Sequence, residues 1–342
     1  MVLAVKRLQS KDDHKKARNT LKKAYPLAVS IHQTRIMQYK SSPDPFKWEE
    51  IVREYNAINH LYSTLQRCIA CQSLVDPVLF TDELTDAKEK AAENRYQLGR
   101  EALGLKENRN KAVEAHQHFQ NALYFIPRYR DAREKMEEAL YFATLRVVVE
   151  PVPSPSRVFE INQEFFTNKI NEYLHHTEIS PYVRFYTPEE VDRSQPDWID
   201  HIIRMEFDRF SLGNISSNTY VEDVSRDSVL IKTSGGEEVY TTVKARLKVN
   251  TKSISGSGIL DFRIRDINLN KIISQEKFPG TYEWRIQWAT YKGDERALSE
   301  EQKELVNRVE LDIPGPQRMF EEFTAPLYDQ VINKITRFYS SS

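Results

Sequence analysis

Apolar positions recur every three to four residues as far as Thr144 and every second residue through much of the remaining chain. Leu3, Leu8, Leu21, Ala24, Ala28 and Ile31 keep roughly helical spacing, so the chain is expected to enter a folded helix already in register near Val2. In PDPFKWEEIVREYNAINHLYSTLQR, Asp44 is placed to cap a helix with Pro45 in its first turn, and Trp48, Ile51, Val52, Tyr55, Tyr62 and Leu65 form one stripe. After a turn around Asp76-Pro77, TDELTDAKEKAAENRYQLGREAL carries a second stripe through Leu84, Ala87, Ala91, Leu98 and Ala102. Each stripe needs a neighbouring helix to cover it.

At Leu145 the spacing becomes that of strands. LRVVVEPVPSPS predicts a short buried strand with a proline-rich exit, and in IDHIIRMEFDRF the residues Ile203, Met205 and Phe207 alternate with charged neighbours. In VYTTVKARLKVN, Val239, Thr241, Val243, Ala245, Leu247 and Val249 face one way and Tyr240, Thr242, Lys244, Arg246 and Lys248 the other, a sheet packed on one side and wet on the other. SGSGILDFRIRDINLNKIISQEKFPG reads as strand, turn and strand: Leu260, Phe262 and Ile264 point inward, the chain turns between Asp266 and Asn270, and the return ends at Pro279-Gly280. Next, Tyr282, Trp284, Ile286 and Trp288 share a face if extended, Gly293-Asp294 turns the chain, and Ser299 with Gln302 can form a capping box. INQEFFTNKINEYL and PQRMFEEFTAPLYDQVINKITRFY predict covering helices. The stripe of the second is Phe320, Phe323, Leu327, Val331 and Ile335, and Pro326 is expected to bend or restart it.

YQLGREALGLKENRNKAVEAHQHFQNALYFIPRYRDA adds detail to the first half. Ala115 and Ala122 bracket Phe119, Leu98-Gly99 lies in the preceding helix, and Pro127 closes the second. This resembles a tetratricopeptide helical hairpin, with the KENRN loop lengthening the turn. The expected fold class is therefore α + (α+β): tetratricopeptide-like helical hairpins over residues 1–145, followed by an α/β sheet domain over residues 146–342.

The 342 residues carry a formal net charge of −1, with 24 basic and 19 acidic side chains in residues 1–145 against 25 and 31 in the remainder. That imbalance is too weak for a nucleic-acid footprint, so no nucleic-acid partner is expected. Eight Lys or Arg fall in the first 25 residues, a solvated helix face in the first instance. No apolar stretch approaches the ~20 residues needed to span a bilayer.

Candidate chemistry is sparse. Cys68 and Cys71 form the C-x-x-C of RCIACQ, open to a redox, zinc or structural reading. They are expected at the end of the helix that begins near Trp48, where the helix dipole disfavours thiolate, which favours a disulfide or two free thiols over redox chemistry. With no second cysteine pair a closed zinc site is not expected. His116 and His118 are two apart on a helix and His175-His176 are adjacent. No H-E-x-x-H, P-loop or G-x-S-x-G is present, and the GSG at 256–258 lies at a strand start without a phosphate-cradling helix. No catalytic, cofactor or metal residue is singled out. Tyr282, Trp284 and Trp288 have two readings, a stacking platform for a glycan or core packing.

The hairpin with Asp266 and Asn270-Lys271 resembles one in the α/β domains of curli-pore lipoproteins and related bacterial envelope lipoproteins, where a Gly usually stands in place of Asn270-Lys271. Together with LAVKRL near the start, FKWEEIVREYNAIN and the repeat-like helices, the chain is similar to a family of uncharacterised Bacteroidota lipoproteins. The resemblance implies a periplasmic, outer-membrane-anchored protein whose signal and lipidated cysteine would precede Met1–Leu8. Membrane contact would then come only through a lipid anchor absent from this chain. The expected function is a non-catalytic scaffold or assembly factor for a protein partner in the cell envelope. The alternatives are a cell-wall or glycan binding module using Trp284 and Trp288, and a carboxylate-dependent enzyme with a deep acidic cleft.

Overall fold

The helical stripes of the first half cover one another in two successive cores. A computed structural model describes residues 1–153, 160–232 and 235–340 and divides the chain into two units, Met1–Thr144 and Leu145–Ser342. The first unit holds α1 (Val2–Ser10), α2 (Lys15–Lys40), α3 (Lys47–Gln66), α4 (Ile69–Gln72), α5 (Asp82–Leu103), α6 (Arg109–Phe125) and α7 (Ala132–Ala143). One core joins Leu8, Leu21, Ile51, Ile58 and Leu65 to the start of α5; the other centres on Phe119 among Ala115, Ala122, Ala132 and Ala139.

The opening stripe is corrected in phase. The chain leaves the helix at Lys11 and restarts at Lys15, where the His14 ring accepts a hydrogen bond from the Ala17 backbone N–H at 3.2 Å. Ala4, Val5, Leu8, Ala17, Leu21 and Tyr25 are buried, at three- and four-residue steps within each helix, while Leu3 and Ile31 fall off that stripe and are exposed. Asp44 does not cap α3 either: its carboxylate accepts from the Phe46 N–H and shapes the turn before the helix.

The second unit holds β1 (Leu145–Val149), α8 (Glu160–His176), β2 (Val183–Tyr186), α9 (Pro188–Ser194), β3 (His201–Leu212), β4 (Ser216–Lys232), β5 (Glu238–Asp266), β6 (Lys271–Gly293), α10 (Glu300–Asn307) and α11 (Pro316–Tyr339). Part of the proline-rich exit at 151–156 lies outside the described residues. The sheet is mixed: β1 runs parallel to β2 and β3, and β3, β4 and β6 each run antiparallel to β5. The described chain is thus a helical unit followed by a unit of helices and a six-stranded mixed sheet.

The strand pattern is corrected at two points. The GSG at 256–258 is in the middle of β5, and Pro279-Gly280 is in the middle of β6. Pro279 is tolerated because β6 pairs only with β5 and lies at the sheet edge, where a missing N–H need not break a ladder. Pro326 does not restart α11, which runs through it as one helix.

Two parts of this sheet emerge from the pairing. At the base, β2, β1, β3, the second half of β5 and the first half of β6 lie side by side. Val147, Val149, Ile203, Met205, Leu260, Phe262 and Ile264 meet Phe166 and Ile170 of α8 and Phe320, Phe323, Leu327, Val331 and Ile335 of α11. Gly258 and Gly280 are paired across β5 and β6, and a Cβ on either would come within 2.8 Å of the Phe323 ring, so the two glycines form the seat of that ring. Beyond the base, β4, the first half of β5 and the second half of β6 continue as a three-stranded arm.

Candidate functional site

The arm is the unusual feature of the second unit. Strands commonly run 3–10 residues, whereas β4, β5 and β6 run 17, 29 and 23. Its core is small: Val243, Ala245, Leu247 and Val249 of β5 with Ala289, Ala297 and Leu298, covered by a 3-10 turn at Glu295–Ala297 and by α10. α10 starts with the reciprocal capping box of Ser299 and Gln302.

Polar contacts hold the arm strands together. Arg246 donates a fork of two hydrogen bonds to Asp223 across β4 and β5, at 2.7 and 3.0 Å, in full contact with solvent. The Gln302 amide donates to Glu222 at 2.8 Å, and Arg296 donates to the Leu230 carbonyl at 3.0 Å, tying the covering segment to β4. The Arg296 side chain and backbone N–H both bond the Asp294 carboxylate and hold its pKa down to about 2.

The two edges of the arm differ. β6 carries Lys292 in its arm half, and Pro279 with Lys271 and Lys277 in its base half, features that discourage a further strand from pairing. β4 pairs with β5 in unbroken register from Ser216 to Arg226, and among the described residues its other side has no neighbour in the sheet. Tyr220 is 49% exposed and Val221 56% exposed, one on each face of this edge, and Tyr240 is exposed on β5. Sequence reasoning did not identify β4. The register shift between Arg226 and Val229, with Ser228 in a left-handed conformation, breaks the alternation that would have marked it.

The aromatic row is not an exposed platform. Tyr282 is buried in the base core, Trp284 packs against that core, and Trp288 is half-buried opposite Asn250. Their face of β6 is the one that α11 covers at the base, which buries Tyr282 and packs Trp284 against the core. Cys68 and Cys71 are joined in a disulfide with a Cα–Cα distance of 5.1 Å. They are not at the end of the long helix: α3 stops at Gln66 and Cys68 is the N-cap of the short α4. His116 and His118 are buried on α6, and burial lowers the pKa of each. Among the described residues no group of three or more His, Cys, Asp or Glu is arranged to hold a metal, and no helix is long and apolar enough to cross a membrane.

No protein-family model matches the chain, and no curated protein matches it. Among solved structures, a protein described as a neuraminyllactose-binding hemagglutinin homolog from Helicobacter pylori is similar at 12% identity, over 57% of this chain and 86% of that one, with a TM-score of 0.26. A hypothetical protein from Chlamydia trachomatis is similar at 13% identity, over 57% of this chain and 96% of that one, also with a TM-score of 0.26. At these TM-scores neither likeness bears on function.

Proposed function

We propose that the chain is a non-catalytic interaction scaffold of the cell envelope, and that a protein partner docks on its arm along the outer edge of β4. The observation that carries this reading is the edge from Ser216 to Ser225, whose side away from β5 has no strand beside it among the described residues and which sets Tyr220 and Val221 in solvent. The outward backbone groups of such an edge can accept an extended segment of another chain, with neighbouring side chains selecting which segment binds. The Cys68–Cys71 disulfide supports an oxidising compartment, where such bonds persist.

The helical unit supports the same reading in a finer way. Phe119 lies so close to Gly99 that a Cβ there would come within 2.8 Å of its ring, and Ala115 and Ala122 are buried on either side of it. This close approach, with Pro127 just past α6, supports a tetratricopeptide-like hairpin at α5 and α6, a unit whose stacking builds binding grooves.

The test is the double substitution Tyr220→Asp with Val221→Lys, which places charge on the edge at exposed positions where stability usually changes by about 0.5 kcal/mol or less. The variant is expected to keep its circular dichroism spectrum and to lose the partner that copurifies with the native protein from membranes. Retention of that partner would refute docking at β4. Recovery of the native protein only from cytosol would refute the envelope assignment.

A further inference from the structure

The side of the base sheet facing away from α8 and α11 gathers arginines. Because strand side chains alternate, Ile202 and Arg204 of β3 and Arg263 and Arg265 of β5 point opposite to the buried Ile203, Met205, Phe262 and Ile264. Arg204 is directly paired with Arg263, and Arg265 with Ile202. Like charges in directly opposed positions destabilise an antiparallel pair, so a third arginine beside them is not what sheet stability alone selects.

These side chains line a cavity of about 510 Å³ with Lys271 and Ile272, at the hairpin that joins β5 to β6. Neutralisation of the cations is uneven. Arg204 donates two bonds to Glu150, at 2.5 and 3.0 Å, and Arg263 pairs with the buried Asp261. Glu206 stands 4.0 Å from both arginines. Arg265 donates to the uncharged side-chain oxygen of Asn270, and among the described residues neither Arg265 nor Lys271 has an acidic partner within 4.0 Å. The Arg263 Nε is buried and has no hydrogen-bond acceptor. Nη2 of the same guanidinium bonds Asp261 and the side chain is 36% exposed, so the orphan is this one nitrogen, and an orphaned buried donor calls for a specific explanation.

We propose that this cavity binds a small amphipathic anion through its oxyanion group, a carboxylate or a phosphate monoester. Arg265, Lys271 and Arg263 hold the oxygens, and the apolar part rests on Ile202 and Ile272. Guanidinium forks match the oxygen spacing of either group and form the stronger, charge-assisted class of hydrogen bond. The inference is independent of docking at β4, because its residues lie in the base.

Calorimetric titration of the full chain with hexanoate and with hexyl phosphate tests it and separates the two sources of the oxyanion. At least one probe is expected to bind, and Arg265→Gln and Lys271→Gln are each expected to weaken it about tenfold or more, the effect of losing one charge-assisted contact. Ile272→Ser is expected to weaken the hexyl probe while leaving inorganic phosphate or acetate unchanged. Lys23→Gln, on an exposed face of α2, should bind as the native chain does. The proposal is overturned if neither probe binds at millimolar concentration, or if Lys23→Gln weakens binding as much as Arg265→Gln. Should Arg265→Gln fail to fold, Lys271→Gln at the hairpin end decides the matter alone.

Discussion

Along β5 the buried side chains change face between the arm and the base. From Ile254 to Ile264 the buried apolar side chains stand at even-numbered positions, under α8 and α11; from Val243 to Val249 they stand at odd-numbered ones, under a 3-10 turn and α10. The base core is rich in large aromatic and aliphatic side chains, while three of the seven buried residues of the arm core are alanines, beside Leu247 and Val249. A strand of uniform hydrogen bonding can therefore have very unequal local stability, because stability depends on apolar burial more than on ladder length. The base carries the larger apolar core and the arm the smaller one.

The sharpest way to break this comparison is Phe323→Ala. It empties the seat over Gly258 and Gly280 and is expected to cost the base about 3–5 kcal/mol, read from urea unfolding followed by near-ultraviolet circular dichroism. A loss below about 1 kcal/mol would show that the seat does not anchor α11. In the arm, Leu247→Ala is expected to cost about 2–3 kcal/mol, with hydrogen exchange accelerating in β4 and the first half of β5 while base amides keep their protection. Equal acceleration in both regions would mean that they open as one unit.

Smaller effects sharpen the boundary. Gly280→Ala is expected to cost about 1–3 kcal/mol by overpacking against Phe323, and that cost should shrink in a Phe323→Leu background. An unchanged cost would locate the strain in the strand backbone instead. The two regions should also respond to opposite ends of the pH range. Burial raises the pKa of Tyr282 and Tyr339 in the base above the usual 10.0, the nearby charge of Asp200 adding to the effect at Tyr339. Their raised values favour the protonated fold, so that contribution is whole below pH 10 and is lost as pH rises beyond it. Asp294 in the arm is depressed to about 2, so its contribution is whole above the usual 3.8 and is lost as pH falls toward 2. Amide chemical shifts across both titrations should show the arm loosening first in acid and the base first in alkali. The reverse order would undo the assignment.

What the sequence determined by itself is what depends on neighbours a few residues away. The α11 stripe from Phe320 to Ile335, the Ser299–Gln302 capping box, the turn between Asp266 and Lys271 and the alternation of Leu260, Phe262 and Ile264 all rest on local periodicity, so each was legible. Tertiary structure alone decided which strands merged and which side chains met. β5 appears in the sequence as two strands with opposite inward faces, and only pairing with β6 from Ala245 to Asp266, across the change of face, makes it one. Tyr282 and Trp284 have an aromatic pattern that suits a surface or a core, and the choice fell to α11 lying over their face. Arg204 and Arg263 are far apart in the chain and become neighbours only because β3 pairs with β5, so no spacing rule could have placed them in one cavity.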